Sequence, residues 1–222
     1  MSTIYCLSDL HIGDKGPKDD FHGNEQKLTE FLQSIPDNSL ILVGDVFELW
    51  QCHLDNIIAA YPDLIKLLFK KALYYITGNH DQAILKLNVL PTFQIKMLLG
   101  VPVVEKLILG DILFMHGHQF DAANSKYKWL GQSITRLAGW LEKYIHKDID
   151  VWAEQFVMKL KKLGRFGYPD QYRKDAIAYA KKEGVKRIVI GHSHHLEHIK
   201  QNNLEYYNCG TWTNGKAHVV KI

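Results

Sequence analysis

Ile4-Tyr5-Cys6-Leu7-Ser8-Asp9-Leu10-His11 decides the fold. Four largely apolar residues that read as a buried strand run straight into a serine, an aspartate and a histidine. The same event recurs along the chain. Leu40 to Val43 runs into Gly44-Asp45, and Leu73 to Thr77 into Gly78-Asn79-His80-Asp81. Ile112 to Met115 runs into His116-Gly117-His118, and Arg187 to Ile190 into Gly191-His192-Ser193-His194. In α/β sheets, ligands bind beyond the carboxyl ends of the strands, so five such junctions predict one shared pocket.

Helical patterns separate the first three runs. Asn24 is placed as an N-cap before Leu28, Phe31 and Leu32. Ile57, Ile58, Tyr61, Ile65 and Leu68 share a face of 54–71, where Pro62 should kink or restart the helix. Strand-helix alternation of this kind argues for parallel βαβ units. The later chain reads differently. Val101 to Leu109 and Ile112 to Met115 flank a Gly110-Asp111 turn. Short strands at 187–190, 195–200, 204–208 and 217–221 are divided by the turn pairs Asn202-Asn203 and Asn214-Gly215. The expected fold class is therefore α/β, with two mixed sheets packed face to face and helices outside.

Residues 122–175 resemble neither half. Leu130, Ile134, Leu137, Leu141 and Tyr144 form one helical stripe, and Phe156, Leu160 and Leu163 another, ahead of a helix expected at 170–183. This stretch carries 11 basic against 6 acidic side chains, leaving 16 against 18 in the remainder. The net charge of +3 therefore belongs to an inserted segment on a slightly acidic body, which gives no case for specific nucleic-acid binding. The expected organisation is one domain, 1–222, with 122–175 a lid-like helical insertion.

Three cysteines, Cys6, Cys52 and Cys209, form no C-x-x-C pair and argue against a disulfide scaffold. No signal-peptide pattern is expected where Asp9 and His11 follow so short an apolar run. The apolar stretches are broken by Asp63, Lys66, Glu105 and Asp111, short of a membrane span. The expected location is cytoplasmic, with peripheral contact to an inner membrane through 122–175 as a further expectation.

Imidazoles and carboxylates without thiolate suit divalent Mn, Fe or Zn rather than a structural cysteine site. Asp9, His11, Asp45, Asn79, His116, His192 and His194 are too many for one tetrahedral ion and suit two ions sharing a carboxylate. Asp-x-His and His-x-His are expected to put alternate side chains on one side of an extended segment. The glycines before Asp45, Asn79 and His192 should permit tight turns and close backbone approach to an anion. A lone Gly-Asp is usually only a turn and a lone histidine only a satisfied core or surface residue; five clusters in order, each behind a buried strand, are neither. His118 and His195 are read as pocket lining or surface, and His22, His53, His146 and His218 as surface.

These motifs together resemble the calcineurin-like metallophosphoesterases over most of the chain outside the insertion. The resemblance implies a four-layer αββα sandwich and a dinuclear centre that hydrolyses phosphoric esters or anhydrides. Asp9, His11, Asp45 and His194 would hold one ion, and Asp45, Asn79, His116 and His192 the other, with manganese the first choice and iron, zinc or nickel alternatives. A water between the ions would attack phosphorus, and His80 would protonate the leaving group with Asp81 fixing its tautomer. Some proteins of this fold are protein-binding scaffolds with eroded metal sites, but no motif ligand is missing here.

Gly44-Asp45-Val46-Phe47-Glu48-Leu49-Trp50, then His116-Gly117-His118-Gln119-Phe120-Asp121 and a helical insertion, resemble one subfamily further. They are similar to the UDP-2,3-diacylglucosamine pyrophosphohydrolases of lipid A synthesis, which release UMP and a lipid phosphate. That resemblance implies a lipid-linked nucleotide substrate, Asn79, Asp121 and Trp129 as substrate contacts, and an acyl-binding role for the insertion; Asp121 equally suits capping the inserted helix. Trp129, Trp140 and Trp152 lie there beside its basic surplus, in keeping with anionic lipid contact, though they equally suit a helical hairpin packed on itself. That subfamily usually reads Gly-Asn-Arg-Asp where this chain has His80, the histidine of the broader superfamily. Other phosphorylated substrates, nucleotides or phosphoproteins, are the alternatives.

Overall fold

Alternation within each apolar run gives the molecule its layers. The computed structural model describes residues 3–17, 19–87, 100–120 and 169–222. Strands β1 (Tyr5–Leu7), β2 (Leu40–Val43), β3 (Ala72–Ile76) and β4 (Val103–Val104) run parallel in one sheet, and β10 (Val220–Lys221) pairs antiparallel with β1 at its edge. The second sheet has the order β5 (Lys106–Leu109), β6 (Ile112–Met115), β7 (Arg187–Ile190), β9 (Leu204–Cys209), β8 (Leu196–Gln201). Within it β6, β7 and β9 are parallel, and β5 and β8 are antiparallel edges.

Successive side chains in a strand face opposite ways. Cys6, Ile41, Val43 and Ile76 of the first sheet therefore meet Ile112, Phe114, Val189 and Cys209 of the second in an apolar layer between them. The opposite faces take the helices. Leu40, Leu42 and Tyr75 pack with α1 (Glu25–Ser34), α2 (Leu54–Ala60) and α3 (Pro62–Lys71) through Leu28, Leu32, Ile57, Ile65 and Leu68. Leu113, Ile188, Ile190 and Tyr206 pack with α5 (Pro169–Lys182) through Tyr172, Ala176 and Ala180. A short α4 (Ile84–Leu87) follows β3. The described residues thus form helix, sheet, sheet, helix, the expected sandwich of two mixed sheets. No described helix is long and apolar enough to cross a membrane.

Several expectations need amendment. The run at 101–109 is two strands, because the chain leaves the first sheet after Val104 and enters the second at Lys106. Asn24 occupies the N-cap of α1 but its side chain makes no cap bond; its amide donates to the carbonyl of Trp212. Pro62 does restart the helix, standing in the first turn of α3 after the break at Tyr61. Of the insertion, only the first turns of α5 lie within the described residues; the two stripes, Asp121, Trp129 and His146 lie outside them.

Candidate metal centre

The loops after β1, β2, β3, β6 and β7 converge where the carboxyl ends of both sheets meet. Backbone bonds lock them: Asp9 N–H donates to Gly44 O and His11 N–H to Asp45 O, each at 3.0 Å, and Gly191 N–H donates to His116 O at 3.0 Å. Three glycines make this closeness possible. A Cβ at Gly44 would collide with the His116 ring, one at Gly78 with the Asp45 carboxylate, and one at Gly191 with Ser8 and Asp9. The anions they let the backbone approach are thus the site's own carboxylates: His80 N–H donates to Asp45 Oδ1 at 2.8 Å, and His192 N–H to Asp9 Oδ2 at 2.9 Å.

The Asp-x-His and His-x-His spacing works differently from expectation. Asp9 (φ 52°), His11 (46°), Asp45 (50°), His192 (68°) and His194 (56°) are all in the left-handed region. The pairs are aimed by left-handed residues in loops, not by extended chain. Such conformations cost about 1–3 kcal/mol each and cluster at functional sites.

Asp9, His11 and His194 each offer a ligand atom within 4.8 Å of the others, and so do Asp45, His116 and His192. His194 Nε2 stands 3.2 Å from Asp9 Oδ1 and 3.3 Å from His11 Nε2. Asp45 lies between the groups, its Oδ2 being 3.9 Å from His11 Nε2 and 3.1 Å from His116 Nε2. His80 also comes within the same 4.8 Å of His11 and Asp45. Asn79 lines the same cavity of about 230 Å³, together with Asp20, Glu48, Gln51 and Thr213.

The donor set fits divalent cations. Asn79 Oδ1 is buried without a hydrogen-bond partner, whereas buried Asp9 Oδ1 and His116 Nε2 face charged neighbours, His194 Nε2 at 3.2 Å and Asp45 Oδ2 at 3.1 Å. A buried polar atom left unpartnered costs about 1–3 kcal/mol, which coordination would recover. Tautomers agree with that reading. His116 Nδ1 donates to Val43 O at 2.9 Å, leaving Nε2 toward Asp45. Burial alone would push the His116 imidazolium down, but the Asp45 and Asp9 carboxylates outweigh it and raise its pKa to about 9. Burial is likewise outweighed at Asp45, where His116 and His80 hold the carboxyl well below the usual range. The charges that draw a proton onto His116 would draw a cation.

Glu48 is the residue that the sequence reasoning missed. Its carboxylate takes His11 Nδ1 at 2.9 Å and His80 Nδ1 at 2.7 Å. Burial raises the Glu48 pKa, but hydrogen bonds from these two rings outweigh it and hold it at about 2. An ionised carboxylate only accepts, so both Nδ1 atoms carry hydrogen and both Nε2 atoms are left for the site. Asp81, expected to partner His80, faces elsewhere: it accepts from Val46 N–H at 2.7 Å, Tyr75 O–H at 2.6 Å and Gly78 N–H at 2.6 Å. Burial and the neighbouring Asp45 charge push it up to about 6 against those three donors. Asp81 braces the loop, and Glu48 orients the ring.

His118 lies beside His116 and His192, with ring centroids 5.7 and 6.4 Å away. His22, His53 and His195 are exposed, as expected. His218 is half-buried and not a surface residue: its Nδ1 accepts from Thr211 N–H at 3.2 Å.

A family model described as calcineurin-like phosphoesterase matches residues 2–196. No match was found among curated proteins. Similar solved structures include a predicted phosphoesterase from Streptococcus pneumoniae, 16% identical, covering 100% of this chain and 84% of that one at a TM-score of 0.40. Vps29 from Cryptosporidium parvum is 17% identical, covering 95% and 74% at 0.46. A cold-active protein-tyrosine phosphatase from a psychrophilic Shewanella is 14% identical, covering 100% and 75% at 0.46. With a family match that covers most of the chain and takes in all five ligand-bearing loops, this chain belongs to the calcineurin-like phosphoesterases, a family of metal-dependent phosphoric ester hydrolases.

Proposed function

We propose that this chain hydrolyses a disubstituted phosphate, a phosphodiester or the diphosphate linkage of a lipid-linked nucleotide, using two divalent ions with manganese preferred. Asp9, His11, Asp45 and His194 would hold one ion, and Asp45, Asn79, His116 and His192 the other. The observation that carries this reading is Asp45 standing between two ligand groups, with the buried Asn79 Oδ1 left unpartnered beside them. When bound, such ions polarise phosphoryl oxygens and lower the pKa of water.

The remaining chemistry belongs to side chains of this chain. His80, its Nδ1–H fixed on Glu48, keeps Nε2 toward the site, and as an imidazolium it would give the Nε2 proton to the leaving oxygen and be left neutral with its Nδ1–H in place. Trp50 holds the plane of that ring, and its indole N–H donates to Asn79 O at 2.9 Å. Asp81 fixes the turn from which Asn79 and His80 project.

UDP-2,3-diacylglucosamine, giving UMP and the lipid phosphate, is the specific substrate we put forward. Its support is the 44–50 and 116–121 motifs together with the basic, tryptophan-bearing 122–175 segment, which would act as a lid touching acyl chains and the membrane surface of a cytoplasmic enzyme. His80, where that subfamily usually has arginine, favours the second reading, a phosphodiesterase acting on nucleotides. Turnover with added Mn²⁺ of UDP-2,3-diacylglucosamine and of bis(p-nitrophenyl) phosphate separates them. Release of UMP supports the first; aryl turnover without UMP leaves only the second. Full activity after dialysis against EDTA would overturn both.

A further inference from the structure

The cavity holds one acid that no ligand group uses. Asp20 lines it beside His11 and His194 and belongs to neither cluster of potential ligands. It stands in the turn that precedes α1, where its carbonyl accepts from Asn214 N–H at 3.1 Å and so ties the turn to the loop after β9. The other two acids of the lining are compensated: Asp45 faces His11 and His116, and Glu48 is held by His11 and His80. Among the described residues the Asp20 carboxylate makes no hydrogen bond or ion pair. Its neighbours are nonetheless those of the site: burial, with Glu48 and Asp19, raises its pKa above the ordinary aspartate value, and His11 and His194 oppose that rise. Two further residues of the described lining, Gln51 and Thr213, are neutral.

We propose that Asp20 is a specificity-determining residue, a fixed negative charge at the cavity mouth that disfavours phosphoryl groups carrying a second negative charge. This rests on the phosphoesterase reading above and deepens it. A phosphate monoester loses its second proton near pH 6, so at pH 8 it carries about two charges where a diester carries one. A substituted diphosphate likewise carries one charge on each phosphorus. A substrate entering past Asp20 meets like-charge repulsion that grows with each added charge, whereas a hydroxyl-bearing substituent can hydrogen-bond to the same carboxylate. The filter favours diesters and internal diphosphate linkages over monoesters and terminal polyphosphates.

The test compares kcat/KM for p-nitrophenyl phosphate and bis(p-nitrophenyl) phosphate, with Mn²⁺ at pH 8, in wild type, Asp20→Asn, Asp20→Lys and Asp20→Glu. Asp20→Asn should raise the monoester-to-diester ratio roughly 5- to 10-fold, the size of one partly screened charge contact. Asp20→Lys should raise it further and Asp20→Glu should leave it near wild type. High salt should shrink the difference. A ratio unchanged in both Asp20→Asn and Asp20→Lys, with esters still hydrolysed, overturns the filter alone. Loss of one bound Mn²⁺ in Asp20→Asn, read by calorimetry, also overturns it by making Asp20 a ligand. Failure of the wild type to hydrolyse either ester would remove the phosphoesterase reading, and the filter with it.

Discussion

Trp50 and His80 lie face to face, with ring centroids 3.8 Å apart and planes 20° from parallel. Together with Glu48 on Nδ1, the indole leaves the imidazole one orientation. Replacing Trp50 with leucine removes the plane but no donor to a metal. We expect kcat to fall about tenfold, since misplacing a catalytic group costs rate out of proportion to its displacement. KM should stay within about twofold, and the Mn²⁺ stoichiometry should equal that of wild type. Steady-state kinetics on a diester measures this, and an unchanged kcat would show that Glu48 alone orients His80.

Glu48 joins a proposed ligand to the proposed acid, so its loss should appear in two measurements. Glu48→Gln keeps the volume but can present an amide N–H to a ring. We expect Mn²⁺ affinity to fall about 10- to 100-fold through His11, as found when outer partners of metal-ligating histidines are removed. Turnover should fall further even at saturating Mn²⁺, because His80 also loses its partner. Wild-type affinity by titration calorimetry would sink the first claim, and wild-type kcat at saturating metal the second.

Gly78→Ala tests the closeness of the loops. The added methyl meets the Asp45 carboxylate and backbone with nowhere to go. We expect a loss of about 1–3 kcal/mol, the usual penalty of forced overpacking, and activity below a tenth of wild type. Gly23→Ala is the control, since a Cβ there touches nothing within 4 Å. Urea unfolding of both variants decides it; equal stability would mean that the turn yields more readily than its packing implies.

His218, which belongs to neither ligand group, supplies a pH dependence. Burial, then Lys216 and His195, lower its pKa below the usual histidine value. The unfolded chain therefore takes up this proton at a higher pH than the folded chain does. Between the two values the unfolded state binds more protons, so stability rises with pH across that window and falls on acidification below about 6.5. In metal-free protein, melting scans from pH 7.5 to 5.5 should show a shallower acid loss for His218→Gln than for wild type. Identical slopes would place the titration elsewhere.

Much of this was legible in order along the chain. Apolar runs of four or five residues ended in ligand-type side chains because both faces of each parallel strand are covered. Leu42 meets the helices while Ile41 meets the other sheet. What stayed hidden depends on contacts across the fold. Glu48 reaches His11 and His80 from 37 and 32 residues away, after Ile12 and Phe47 bridge their loops. It lay inside the 44–50 motif, but nothing in that run says which side chains its carboxylate meets. Asn24 looked like a cap because that preference is local, but its amide serves Trp212, 188 residues on. The run 101–109 is apolar throughout, and hydrophobicity alone does not say where a chain changes sheets.

The left-handed backbone at Asp9, His11, Asp45, His192 and His194 sets fold and chemistry in opposition. Glycine would occupy each of these positions with less strain than the residue now there. A change to glycine at the centre thus relaxes the backbone at that position while it removes a ligand, although at Asp9 and Asp45 it also removes the acceptors of His192 N–H and His80 N–H. Variants selected for thermal tolerance alone should discard the metal centre first, leaving a sturdier but inert body. A lineage released from catalysis would have the same downhill route to a non-catalytic descendant, and retention of all seven candidate ligands here means that this chain has not taken it.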